Sequence, residues 1–177
     1  MAVTIQANPD LAGFNCYATL VEANDYHSTR LHNSAWTEAA TTEKNKALLW
    51  ASRQLDTLRW QGGRTVPGQA KEFPRLGLYM ETGNYSWAHD LLSGYMLDGY
   101  TIPDFLKDTT AELAFWLLSQ DYTAPTGLEG FKSIKVDTIG IEVDNRREPE
   151  WFNDAVRSLC WRWLVSASKY SAPVERV

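Results

Sequence analysis

The sequence predicts a mainly α fold, a bundle of about four helices with one projecting β-hairpin and a long irregular loop. Three observations carry this. Apolar residues recur at three- and four-residue spacings in four separate stretches. Two short runs near the C-terminal third alternate apolar and polar residues around a tight turn. Between the second and third helical stretches, proline and glycine interrupt every periodicity.

The elements follow in order. Residues 1–18 form an extended N-terminal arm, broken by Asn8-Pro9-Asp10 and Gly13. Thr19-Leu20-Val21-Glu22 has capping-box spacing, so a helix runs from about Leu20 to His32 with Leu20, Ala23, Tyr26 and Leu31 inward. A short link holding Trp36 precedes a second helix, about Thr42 to Trp60 and roughly 28 Å long. Its inward stripe is Ala47, Leu48, Ala51, Leu55 and Leu58, and Gly62-Gly63 stops it. Residues 64–100 are an irregular excursion rich in aromatics. Such loops are usually functional.

Thr101-Ile102-Pro103-Asp104 starts the helix on which the bundle is built, extending to Gln120. Ile102, Phe105, Leu106, Thr109, Leu113, Trp116 and Leu117 form its apolar stripe, opposite Lys107, Asp108, Glu112 and Gln120. The hairpin occupies 131–143, its strands joined at Asp137-Thr138. A last helix runs from Glu150 to about Ala167, with Trp151, Phe152, Ala155, Val156, Leu159, Trp163 and Leu164 in its stripe. Trp161 and Arg162 point away from that stripe. Residues 168–177 are a flexible C-terminal tail.

At 177 residues the chain reads as one domain, able to bury roughly 70% of its unfolded surface. The net charge of −5 argues against a free-standing duplex reader, or requires charge partitioned between faces. Cys16 and Cys160 are too few and too distant for a disulfide framework, and read as buried thiols. No apolar run approaches the ~20 residues of a membrane span, and no secretory leader pattern opens the chain.

Chemistry is sparsely signalled. His27, His32 and His89 have neither metal-ligand spacing nor cysteine neighbours, and read as surface or capping histidines. The acids Asp137, Glu142 and Asp144 lie on a strand's solvent face. Gly62-Gly63-Arg64 lacks the ending of a phosphate loop. The expectation is therefore no enzyme, no metal and no cofactor. Two basic–aromatic sets could stack single-stranded bases: Trp60, Arg64, Lys71, Phe73 and Arg75, and Phe131, Lys132 and Lys135. The competing reading makes those aromatics core and those cations partners of acids. Eight tryptophans exceed what one chain of this size readily hides, which points to interfaces.

A family resemblance rests on an ordered set of short motifs. These are Asn15-Cys16-Tyr17 with Glu22-Ala23-Asn24-Asp25-Tyr26, then Ala35-Trp36, then Leu58-Arg59-Trp60-Gln61-Gly62. Phe73-Pro74-Arg75-Leu76-Gly77 follows, then Asp98-Gly99-Tyr100-Thr101-Ile102-Pro103, Ala111-Glu112-Leu113-Ala114, and Ile134-Lys135-Val136 with Ile141-Glu142-Val143. From about Asn15 to Leu164 the chain resembles tailed-bacteriophage proteins often labelled DnaT-like single-stranded-DNA-binding proteins, which are themselves similar to head–tail connectors or adaptors. Residues 80–95 depart from that pattern.

The resemblance implies a structural adaptor of the virion neck, made in the host cytoplasm. Such a protein forms a homo-oligomeric ring, usually a dodecamer, between the portal protein and a tail or second neck protein. Double-stranded DNA passes through without sequence recognition, and no membrane is involved. Candidate interface residues are Phe131, Ile134, Val136, Ile139, Ile141 and Val143 of the hairpin, Tyr85 and Trp87 of the excursion, and Trp161, Trp163 and Tyr170 toward the C-terminus. The alternative is a single-stranded-DNA-binding module acting in phage replication.

Overall fold

The computed structural model describes residues 3–78, 99–122, 133–136, 139–142 and 152–165. Among them, five α-helices and two small antiparallel strand pairs bear out the mainly helical class. Helix α1 spans Leu20–Ser28, and the capping box is present in both halves. The Thr19 hydroxyl accepts from the Glu22 amide, and the Glu22 carboxylate accepts from the Thr19 amide at 2.8 Å. Such a cap contributes about 1 kcal/mol.

The helix ends four residues earlier than its periodicity suggests. Thr29 caps it, His32 turns the chain at φ +56°, and Leu31 is 80% exposed rather than inward. The turn frees the chain to form a four-residue helix, α2 (Ser34–Thr37), which drops Trp36 into the core. The Trp36 indole N–H donates to the Asn24 side chain at 3.0 Å.

Helix α3 spans Thr41–Leu55 and buries Ala47, Leu48, Ala51, Ser52 and Leu55. It is shorter than expected, about 22 Å at 1.5 Å per residue. The segment after it straightens, because the Trp60 indole N–H donates back to the Leu55 carbonyl at 2.9 Å. That bond takes one of the carbonyls a helix end leaves open.

Strands β1 (Gly63–Arg64) and β2 (Arg75–Leu76) then pair, Gly63 opposite Leu76 and Arg64 opposite Arg75. Gly62, at φ +70°, is needed here. A Cβ on it would stand 2.1 Å from the Leu76 carbonyl oxygen.

Helix α4 (Asp104–Ser119) is the centre of the bundle, in contact with α1, α2, α3 and α5. It is buried over an unbroken run from Thr109 to Phe115, wider than the single stripe expected. The hydroxyls of Thr109 and Thr110 are satisfied by the carbonyls of Phe105 and Leu106, at 2.6 and 2.7 Å. Glu112, expected on the solvent face, is 4% exposed and tied to Arg30.

Strands β3 (Ser133–Val136) and β4 (Ile139–Glu142) form the expected hairpin, with Ile134 opposite Ile141 and Val136 opposite Ile139. The last helix, α5 (Asp154–Cys160), starts at Asn153. The Asn153 side chain caps the Val156 amide at 3.0 Å. A 3-10 turn, Trp161–Trp163, ends it well short of Ala167. Cys16 and Cys160 are both free and buried. No described helix is long and apolar enough to cross a membrane.

Candidate nucleic-acid interface

The first basic–aromatic set belongs to the core. Phe73 is wholly buried, with Trp60 and Tyr17 edge-on to it at 5.0 and 5.9 Å between ring centroids. Lys71 lies nearly buried with its ammonium 2.6 Å from Asp56 and 4.7 Å from the Tyr17 ring. The Tyr17 hydroxyl donates to Asp56 as well. Burial, and then the Asp56 charge, push that phenol far above its ordinary pKa, so it stays a donor. Arg75 donates to the carbonyls of Gln61 and Gly62 at 2.9 and 2.8 Å, and to Glu72 at 2.5 Å. Arg64 also pairs with Glu72. Neither the Trp60 nor the Phe73 face is open to a base, so of the two readings of this set the core one holds: its rings pack and its cations Arg64, Lys71 and Arg75 serve acids or carbonyls.

What the buried set does is hold the segment Arg59–Gln61 in place. This segment runs antiparallel to the end of the chain, with Trp60 bridged to Leu164. The Gln61 amide donates to the Trp163 carbonyl and the Val165 amide to the Arg59 carbonyl, both at 2.8 Å. The Gln61 side chain adds bonds to the carbonyls of Arg162 and Leu164, at 2.9 and 3.1 Å.

Within the 3-10 turn, Trp163 folds inward and stacks on Phe105, centroids 3.7 Å apart and planes 9° from parallel. Trp161 folds outward. Its indole is 56% exposed, and the Arg162 guanidinium stands 5.6 Å from the ring centroid. Arg59 and Arg162, exposed and about a hundred positions apart in sequence, are thus carried on adjoining segments, Arg162 beside the open indole and Arg59 opposite Val165.

Charge is unevenly shared along the chain. Residues 51–78 hold five basic and two acidic side chains in a protein of net charge −5. Among those acids, Asp56 is engaged by Lys71 and Glu72 by Arg64 and Arg75. Residues 51–78 therefore carry a net charge of +3 within an acidic molecule, which the overall charge alone conceals.

A second exposed tryptophan sits elsewhere. Trp50 lines an open groove of about 500 Å³ with Lys46, Leu117 and Tyr122. Glu43 and Asp121 share that groove, Glu43 pairs with Lys46 at 2.9 Å, and the C-terminal end of α4 adds its negative dipole end. Phosphate would be repelled there.

His27, expected at the surface, is buried between Trp36 and Phe115 at 4.4 and 5.9 Å, with Nε2 3.1 Å from the Ala111 carbonyl. Burial lowers its pKa. Among the described residues no group of three or more His, Cys, Asp or Glu side chains is placed to hold a metal ion.

Of the interface residues named from sequence, Trp161 is exposed and Trp163 is packed against the core. Ile134, Val136, Ile139 and Ile141 lie at paired positions of the hairpin. Tyr85, Trp87, Phe131, Val143 and Tyr170 lie outside the described residues, as do Lys132, His89 and residues 80–95. Sequence periodicity had set Trp161 and Arg162 apart from their helix stripe. Nothing in it linked them to Arg59.

Fold and surface together define a small helical protein with a basic, aromatic ridge. The family described as "Putative DnaT-like ssDNA binding protein" matches residues 1–177, and the chain belongs to that family. No curated protein and no solved structure matches it.

The match overturns the expected role as a virion neck connector. The family's description names single-stranded DNA, not a portal, a tail or a duplex in transit. The physical argument for the ring also weakens. It rested on a surplus of tryptophans, yet Trp36 and Trp60 are buried, and Trp116 and Trp163 are packed against the core of a single chain.

Proposed function

We propose that this protein binds single-stranded DNA without reading its sequence, through the ridge formed by Arg59, Trp161 and Arg162. The observation that carries the reading is the open Trp161 indole with the Arg162 guanidinium beside its ring, on a segment hydrogen-bonded to the one that carries Arg59. Every base has a π face, so an exposed indole accepts any of them. Such stacking contributes about 1–3 kcal/mol per base. Guanidinium groups beside it supply the phosphate contacts that steer and hold the strand. Stacking and phosphate contacts of this kind are tolerant of sequence. Family membership supports the same reading. Replication, which exposes such strands, is the process this activity would serve.

The test is fluorescence anisotropy of a labelled oligothymidine with the purified full chain. Binding should weaken steeply between about 50 and 200 mM salt as counterions released from the strand are returned. Trp161→Ala should cost about 1–3 kcal/mol. Trp161 is exposed, so its removal should leave thermal unfolding nearly unchanged. Salt-independent binding, or an unchanged affinity for the alanine variant, would refute the reading.

A further inference from the structure

The surface that carries Trp161 continues beyond Arg59–Gln61. The chain turns at Gly62 into β1, which pairs with β2. Gly99 packs against the β1–β2 pair, so close to Leu76 that a Cβ there would lie 2.3 Å from the Leu76 side chain. The Thr65 hydroxyl bonds to the Gly99 carbonyl. Tyr100 follows directly and is 67% exposed. The segments in contact are therefore Trp161–Val165, then Arg59–Arg64 with β1 at its end, then β2, with Gly99-Tyr100 against the β1–β2 pair.

Two features make this a continuous band. Its exposed side chains are of two kinds, arginine (Arg59, Arg64, Arg162) and apolar or aromatic (Val66, Leu76). No acidic residue occurs in residues 59–66, 74–76, 99–100 or 161–165. The charge changes on the other side of Tyr100. There the tyrosine lines a groove of about 270 Å³ with Asp10, Glu22 and Lys107, and Lys107 is occupied by Glu22 at 3.0 Å and Asp104 at 3.3 Å. A phosphate backbone following the band meets carboxylates at that border.

Resting on the single-stranded-DNA reading, we propose that the strand lies across this band with one base stacked on Trp161 and another on Tyr100. Backbone phosphates meet Arg59 and Arg162 on the Trp161 side of the band, and the strand leaves the protein at the acidic border beyond Tyr100. Neighbouring strands lie ~4.8 Å apart, so the two pairings between the Trp161 segment and β2 set the rings on the order of 10 Å from each other. A single nucleotide cannot serve both ends. The ligand is a run of several nucleotides.

The experiment compares thymidine oligonucleotides of about 3 and about 12 nucleotides, the longer within the ~4–16 range of single-strand sites. Binding of each to the full chain is measured for the parent and for Tyr100→Ala, Tyr100→Phe and Trp161→Ala. Circular dichroism confirms that each variant is folded. Tyr100→Ala should weaken the long strand roughly 5- to 150-fold and leave the short one nearly unchanged. Tyr100→Phe should bind like the parent, because the ring and not the hydroxyl does the stacking. If Tyr100→Ala binds the long strand like the parent while Trp161→Ala does not, the second stacking point is wrong and single-strand binding stands. If the parent binds neither length, the single-strand reading fails and this proposal falls with it.

Discussion

Replacing Arg30 with leucine tests whether the ion pair between the turn after α1 and Glu112 of α4 holds the bundle together. The Arg30 guanidinium makes a bidentate contact with Glu112, Nε to Oε2 at 2.8 Å and Nη2 to Oε1 at 2.9 Å. Glu112 also accepts from the Tyr26 hydroxyl at 3.1 Å and the Trp116 indole at 2.9 Å. The same guanidinium sits 3.9 Å over the Phe115 ring and donates to the carbonyls of Leu31 and His32.

Breaking a buried pair by removing one partner costs about 3–5 kcal/mol, because the remaining charge is stranded. Glu112 would keep two neutral donors, which argues for the lower end. Loss of the contact with Phe115 adds about 1 kcal/mol. Arg30→Leu should therefore lose about 3–4 kcal/mol. With a urea dependence near 3 kcal/mol/M, the unfolding midpoint should fall by about 1 M.

Urea unfolding followed by circular dichroism at two pH values gives a second check. Burial alone would raise the Glu112 carboxyl, but the bonds and charge of Arg30, with Trp116 and Tyr26, hold it below the usual range. The parent thus keeps this stabilisation at neutral pH and loses it as pH falls through the depressed folded pKa. In the leucine variant, burial acts without Arg30 to oppose it, and the carboxyl takes up a proton more readily. The deficit relative to the parent should shrink from pH 7 toward pH 4. Arg30→Leu combined with Glu112→Leu should lose less than Arg30→Leu alone. A loss under about 0.5 kcal/mol at pH 7 would mean that water, not Arg30, serves the carboxylate, and the reasoning would be refuted.

Other perturbations have equally definite outcomes. Burial lowers the pKa of His27, so the unfolded chain takes up the proton first. The stability that neutral His27 contributes is intact above about pH 6.5 and declines below it, by at most about 1.4 kcal/mol per pH unit. Urea midpoints for the parent and His27→Phe, compared at neutral and mildly acidic pH, should show the parent's extra acid sensitivity. Gly62→Ala places a Cβ against the Leu76 carbonyl at positive φ. It should destabilise by at least about 1–2 kcal/mol from backbone conformation alone, read as a lowered melting temperature. Arg59→Ala should reduce the slope of log affinity against log salt by about 0.7, the increment for one contact to a single strand, with little change in stability.

Much of the helical framework was legible before the fold was known, since caps and apolar periodicity act over a few residues. The Thr19–Glu22 capping box, the start of α4 at Pro103-Asp104 and the register of the hairpin are local, and each forms as its residue types require. Helix ends were less legible. Periodicity carried α3 on to Trp60, but the indole bond to the Leu55 carbonyl stops it earlier. The burial of Glu112 was hidden too, because the arrival of Arg30 from the turn after α1 makes a buried carboxylate tolerable.

The candidate site divides the same way. Sequence alone determined that Trp161 and Arg162 leave the face of their helix, because that is a matter of angle along one segment. It also determined that basic and aromatic residues mingle between Trp60 and Arg75. Only the tertiary structure decided that this second group is core, that the Arg59–Gln61 segment adjoins Arg162–Val165 across about a hundred positions, and that Tyr100 closes the band. Exposure and long-range adjacency depend on which segments pack over and beside a residue, and no spacing within one segment encodes them.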